Sequence, residues 1–282
     1  MTTKPSDLAL TAIAPIVWGS TYLVTTEMLP DFSPSTVAML RALPAGLLLL
    51  VIVRQLPAGT WWLRAFVLGA LNISLFLTML FVAAYRLPGG VAGTVLAAQP
   101  LIVVFLASWL LGARLRPVAV IAALVGMGGV ALLVLTPSAA LDLIGVAAGL
   151  AGAGSMALGV TLTRKWQPSV KPLALTAWQL TAGGLLLVPV VLFVDHSIPI
   201  PTASNLIGLM WLGLVGAALT YVLWFRGIGR LNPSVASSLL FLSPVTAVML
   251  GWAFLGEKLT LLQITGIGVV LGSIWLSQRA SH

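Results

Sequence analysis

The stretch VAVIAALVGMGGVALLVL, from Val118 to Leu135, runs for eighteen residues without a charge or a strongly polar side chain. A helix needs about 20 residues to cross the hydrocarbon core of a bilayer, so this run is close to one span. Leu43 to Val53 is a second unbroken apolar run. Neither run alternates apolar with polar residues, as a lipid-facing barrel strand does over segments of about ten. Composition points the same way: 60% of the residues are hydrophobic and 7% charged, with mean hydropathy +1.11. A water-facing surface uses roughly a quarter charged residues, which this chain does not have. The expected fold is all-α and embedded in a membrane, because only helices and closed barrels satisfy their backbone there.

Pro, Gly and charge breaks divide the chain into ten apolar segments: 8–28, 34–53, 63–85, 90–110, 117–135, 143–163, 172–194, 204–225, 234–255 and 261–278. The connections are short and leave no room for an aqueous domain. The first segment reads as a retained helix, since it is long for a signal core and lacks a small-x-small cleavage site. With the amino terminus inside, Lys4, Arg54, Arg64, Arg114, Arg116, Arg164, Lys165, Lys171, Arg226, Arg230 and Arg279 all fall on the cytoplasmic side. Arg86 and Lys258 fall outside, and Arg41 lies within a helix. This bias predicts both termini in the cytoplasm of a bacterial-type cell, with the chain multi-pass in its inner membrane. The net charge of +8 does not indicate nucleic acid, because the basic residues sit in scattered short loops.

An internal repeat is visible. Leu68-Gly69 matches Leu212-Gly213, Arg86-Leu87 matches Arg230-Leu231, and Pro100 matches Pro244, each pair 144 residues apart. Val91-Ala92 with Val235-Ala236, and Leu111-Gly112 with Leu255-Gly256, keep the same offset. The expected organisation is two five-helix repeats, residues 1–140 and 141–282. An odd number of spans per repeat turns the second copy upside-down relative to the first. Inverted repeats are a common way to build two equivalent gates around a midplane site.

Pro233-Ser-Val-Ala, Leu242-Ser-Pro244-Val and Phe254-Leu-Gly-Glu257-Lys-Leu-Thr, followed by Gln263 and Gly266, resemble the EamA-type signature of the drug/metabolite transporter superfamily. The first half holds a worn copy in Val91-Ala92, Gln99-Pro100-Leu101 and Leu111-Gly-Ala-Arg114-Leu. Trp18-Gly19-Ser20 and the in-membrane Arg41 suit the same family. The resemblance implies a ten-helix exporter with a central cavity lined mainly by helices 1, 3, 4, 6, 8 and 9. Within the superfamily the chain is most similar to the YddG-like exporters of aromatic amino acids. The first-half position matching Glu257 is Ala113, which argues against a symmetric role for that carboxylate.

An ionisable or strongly polar group inside a span costs several kcal/mol without a partner, so such groups are the first site candidates. Arg41 is the one charge well inside a helix. It is suited to a substrate carboxylate, or alternatively to snorkelling outward onto Glu27 or Asp31. The candidate substrate-binding set is Trp18, Thr21 and Tyr22 in the first span, Arg41 in the second, Met79 in the third, Gln99 in the fourth, Trp178 and Gln179 in the seventh, Tyr221 and Trp224 in the eighth, and Ser243 in the ninth. Aromatic walls with a few amide and hydroxyl donors suit a planar amphipathic solute. Plain helix packing is the competing account of each aromatic, and Trp61, Trp62, Trp166 and Trp275 read as interfacial anchors. Pro100 and Pro244, expected inside helices at matched depth, are candidate gating kinks, with Gly89-Gly90 a hinge. Gly145-x-x-x-Gly149 and Gly268-x-x-x-Gly272 permit close helix contact or a weak homodimer face, with a monomer the alternative. Glu257-Lys258 reads as a structural cap before the tenth helix.

No Asp or Glu lies in the middle of a span, and the two histidines fall at 196 and 282, so no carboxylate or histidine proton relay is visible. Cys is absent and no G-x-x-x-x-G-K-[ST] loop occurs, so neither thiol chemistry nor an intrinsic ATP motor is expected, and no cofactor is called for. An intramembrane enzyme would need an acidic pair or a nucleophile with its base at depth. A channel would show charged rings or a carbonyl filter, and a passive scaffold would need no polar pocket. The pattern favours a secondary transporter exporting small metabolites, with aromatic or hydrophobic amino acids the first choice and drugs or nucleosides the alternatives.

Overall fold

The computed structural model describes residues 4–87, 92, 95–134, 142–166, 169–195, 199–254 and 260–279. Its described elements are all helical. In chain order they are α1 (Pro5–Met28), α2 (Pro34–Val53), α3 (Trp61–Arg86), α4 (Gln99–Leu111), α5 (Pro117–Val134), α6 (Leu143–Trp166), α7 (Pro172–Asp195), α8 (Ala203–Arg230), α9 (Pro233–Phe254) and α10 (Leu261–Arg279). Eight are long and apolar enough to cross a membrane, while α4 and α5 are apolar but shorter over their described residues. Gly89, Gly90, Glu257 and Lys258 lie outside the described residues.

Proline sets many of the starts. Pro5, Pro34, Pro117, Pro172 and Pro233 each open a helix, where the missing N–H costs nothing and the fixed φ suits the first turn. Ser33 caps α2 by accepting from the Thr36 amide, and Thr202 with Asn205 forms a capping box on α8. One boundary differs clearly from the sequence expectation. α8 continues past 225 to Arg230 because Arg226 and Arg230 both reach the Asp7 carboxylate, at 2.7 and 3.2 Å. Basic residues that read as a stop are therefore accommodated as the last turn.

Large apolar side chains remain exposed along outer faces: Leu47, Leu48, Val51 and Ile52 on α2, Ile121 and Leu124 on α5, Leu192 and Phe193 on α7. That much contiguous apolar surface requires lipid. The inner faces form one main core from α1, α2, α3, α6, α7 and α8, with Tyr221, Trp224, Phe81 and Met156 fully covered. A second cluster joins α5, α9 and α10 around Val130, Phe241 and Val270.

The helices pair in a regular way. α2 packs on α7 and α5 on α10; α1 meets α8 and α9, while α6 meets α3 and α4. At the α2–α7 crossing the backbones nearly touch, since a Cβ on Gly46 would lie 2.4 Å from the Thr181 nitrogen. Gly145 and Gly149 are likewise filled from outside, by Leu87 and Val95, whereas Gly268 and Gly272 face open space.

Polar groups collect at helix ends. Ser33, Ser35 and Thr36 at the start of α2 all donate to the Asp195 carboxylate at the end of α7, with Ser35 at 2.7 Å and Thr36 at 3.0 Å. Asp142 accepts from the Gly145 and Ile144 amides at the start of α6 and from Arg86 at 3.1 Å. The Gly145 amide first, then Arg86, holds its carboxyl below the ordinary 3.8 despite partial desolvation. A depressed carboxyl stabilises the fold above its free value and loses that contribution as pH falls through the lowered one. Melting followed against pH should therefore show an acid-side decline below 3.8 that is smaller in an Asp142→Asn chain.

Candidate functional site

The helices are interrupted where the cavity forms. α3 widens to a π-helix over Ala70–Leu75 and α8 over Trp211–Leu219, two segments that overlap at the 144-residue repeat offset. Wider turns of this kind free backbone carbonyls for other donors. In α8 the freed acceptor is the Gly216 carbonyl, which takes Trp18 Nε1 at 3.0 Å, Arg41 Nη2 at 2.8 Å and Thr220 Oγ1 at 2.9 Å. In α3 the Leu71 carbonyl accepts from Ser155 of α6 at 2.7 Å.

The regular α-helix is interrupted just before Pro100 and Pro244. The α4 helix begins at Gln99 after a turn at Ala97-Ala98, with Pro100 as its second residue. In α9 a 3₁₀ turn, Leu239–Phe241, precedes Leu242, with Pro244 two residues on. Pro100 thus stands at the start of α4 and not in mid-helix, whereas Pro244 lies inside α9. A proline lacks the donor that would tie it to the turn before, so the α-helix restarts where that donor is not needed.

Between these interruptions lies a cavity of about 70 Å³. The first half of the chain contributes Trp18, Thr21 and Tyr22 from α1, Arg41 from α2, Phe76, Leu77 and Leu80 from α3, and Leu96, Ala97 and Gln99 around the α4 break. The second half contributes Met156, Tyr221, Leu240, Ser243 and Pro244. Trp18 anchors one wall, with its ring 5.1 Å from Tyr221 and 5.4 Å from Trp224.

Arg41 is buried, 2% exposed, and donates to Thr21 Oγ1 at 3.2 Å and to the Gly216 carbonyl. Among the described residues it forms no ion pair, so the Glu27 or Asp31 partner considered from sequence is not used. The guanidinium turns inward because the π segment of α8 offers it a carbonyl at depth. Among the described residues its Nε has no partner, and neither do the Gln99 amide nitrogen or the Tyr221 hydroxyl. A buried polar atom without a partner is uncommon and costly. Three such atoms border this one cavity.

Of the candidates named from sequence, the structure brings Trp18, Thr21, Tyr22, Arg41, Gln99, Tyr221 and Ser243 together around this cavity, with Pro244 beside them. Four other candidates lie elsewhere. Trp178 donates to the Gln55 carbonyl at 2.6 Å and packs beside Trp61, 6.2 Å away. Met79 sits against Gly152 of α6. Trp224 is fully buried behind Trp18. Gln179 accepts from Asn72 Nδ2 at 2.6 Å in a separate buried cluster that includes Thr163.

That second cluster was not anticipated, although an asparagine inside an apolar span signals a needed partner. It mirrors the first: Arg41 of α2 reaches Gly216 in the α8 π segment, and Gln179 of α7 is reached by Asn72 in the α3 π segment. Asn72 and Gly216 are 144 residues apart.

A family model described as the EamA-like transporter family matches residues 6–135 and again 143–278. Protein PecM of Dickeya dadantii (strain 3937) is 42% identical over 270 residues, covering 95% of this chain and 91% of that protein. The inner membrane transporter YedA of Escherichia coli (strain K12) is 27% identical over 266 residues, covering 93% and 87%. A solved crystal structure superposes with a TM-score of 0.81 over 98% of both chains at 20% identity, a likeness of fold.

Proposed function

The chain belongs to the EamA-like transporter family, as a multi-pass membrane transporter, and from that premise we propose that it exports small amphipathic metabolites across a bacterial inner membrane by alternating access around the cavity. One observation carries the proposal: both halves of the chain line a single pocket that has aromatic walls and unspent donors. Aromatic or hydrophobic amino acids and related compounds fit such walls, and a purely apolar channel would leave those donors without purpose.

The mechanism rests on ten spans arranged as two inverted repeats, residues 1–140 and 141–282. The helix pairing supports this, because exchanging each helix with the one five places on maps α2–α7 and α5–α10 onto themselves and α1–α8 onto α6–α3. Both termini then lie in the cytoplasm. The ion pairs agree with that arrangement: Asp7 at the start of α1 meets the end of α8, and Arg86 at the end of α3 meets the start of α6. The turn before Pro100 and the 3₁₀ segment before Pro244 are the hinges of the two gates. Discontinuous helices at a midplane site are a recurrent transporter device.

Purified protein in liposomes tests the reading. Counterflow of labelled aromatic amino acids and nucleosides should be saturable and selective. An ohmic current, or no solute-selective flux, overturns it. In the same assay Gln99→Ala should lower transport efficiency about tenfold, the scale of one lost hydrogen bond of about 1.4 kcal/mol, while the purified variant keeps its melting temperature. Unchanged flux removes Gln99 from the site.

A further inference from the structure

Resting on that reading, we infer that the preferred solute is an organic monoanion, an aromatic carboxylate without a free ammonium group, and that Arg41 is the residue that selects it. The charge balance of the cavity carries this. Arg41 is the one charged side chain among the lining residues, and none of them is Asp or Glu. The described acidic residues, Asp7, Glu27, Asp31, Asp142 and Asp195, fall at helix ends or in loops, and among the described residues none pairs with Arg41.

A guanidinium offers five N–H donors, and only two of Arg41's are spent in the protein, on Thr21 and Gly216. The Tyr221 hydroxyl and the Gln99 amide nitrogen add two further unspent donors. A carboxylate is acceptor-only and takes several such donors at once, which charge assistance strengthens. An ammonium is donor-only. It would find no anionic acceptor here and would sit near a like charge in a medium where repulsion is weakly screened. A zwitterion satisfies one half of this chemistry and strands the other. The surrounding Trp18, Phe76, Leu77 and Tyr221 take the ring.

Three ligands that share a phenylethyl skeleton separate the alternatives: 3-phenylpropanoate, phenylalanine and 2-phenylethylamine. Binding to the purified protein in detergent is measured by calorimetry at neutral pH. The expected order is 3-phenylpropanoate first, phenylalanine about tenfold weaker, a difference of about 1.4 kcal/mol, and 2-phenylethylamine weakest. Arg41→Gln should level the series, and Arg41→Lys should keep its order. Phenylalanine or the amine binding as tightly as the acid overturns the inference and leaves the carrier reading intact, as does an unchanged series in Arg41→Gln. Saturable binding by none of the three overturns the aromatic-solute reading itself. The wild-type order is decisive even where a variant fails to fold.

Discussion

A Gly46→Leu chain should yield no monodisperse protein after extraction. A Cβ at this position would lie 2.4 Å from the Thr181 nitrogen and 2.7 Å from the Leu180 carbonyl carbon. These are backbone atoms, so no rotamer change relieves the clash. α7 cannot slide aside either, because Gly184 meets the Leu43 Cα from the same interface, with a Cβ there 2.7 Å from it. Overpacking a fitted core costs about 1–3 kcal/mol and occasionally more; a clash of backbone against backbone belongs at the upper end. Gly272→Leu is the matched control, since nothing lies within 4 Å of a Cβ there. Size-exclusion profiles and melting of the two variants decide the matter. If Gly46→Leu behaves like Gly272→Leu, the α2–α7 crossing is wrong.

Trp18→Ala should damage both fold and transport. The indole is buried against Tyr221 and Trp224, and its N–H is shared between the Gly216 carbonyl and Thr220 Oγ1 at 3.0 and 2.9 Å. Replacing a packed tryptophan by alanine costs about 3–5 kcal/mol, which corresponds to a fall in melting temperature of about 10 °C. The same change removes a cavity wall, and transport efficiency should drop about a hundredfold, the scale of about 3 kcal/mol. Trp18→Phe keeps a ring against Tyr221 and loses only the N–H. The Gly216 carbonyl still holds Arg41 and Thr220, so that variant should melt near the parent. Equal losses in the two variants would mean the hydrogen bond, not the ring, does the stabilising.

Much of this architecture was readable in the chain before any coordinates. α2 was expected at 34–53 and runs from Pro34 to Val53, because Ser33-Pro34 starts a helix and Arg54 ends the apolar run. Arg41, Gln99 and Tyr221 stood out for one reason: a polar group in a span is costly, so it advertises a partner or a pocket. Trp178 and Gln179 gave the same signal and belong to other clusters. Asn72 carries the same signal and pairs with Gln179. Hydropathy reports how deep a residue lies along a helix, and Trp178 differs from Tyr221 in which way it faces.

The sequence by itself determined the solvent, most of the segments and the internal repeat, because a bilayer imposes length and apolarity on every span. Only the tertiary structure decided rotation about each helix axis. In lipid, the face toward a neighbouring helix and the face toward acyl chains are equally apolar, so composition carries no inward direction. Close approach at Gly46 and Gly184, and the Gly216 carbonyl exposed by the α8 π turn, turn Arg41 inward. Those contacts join residues more than a hundred positions apart, and no local pattern encodes them.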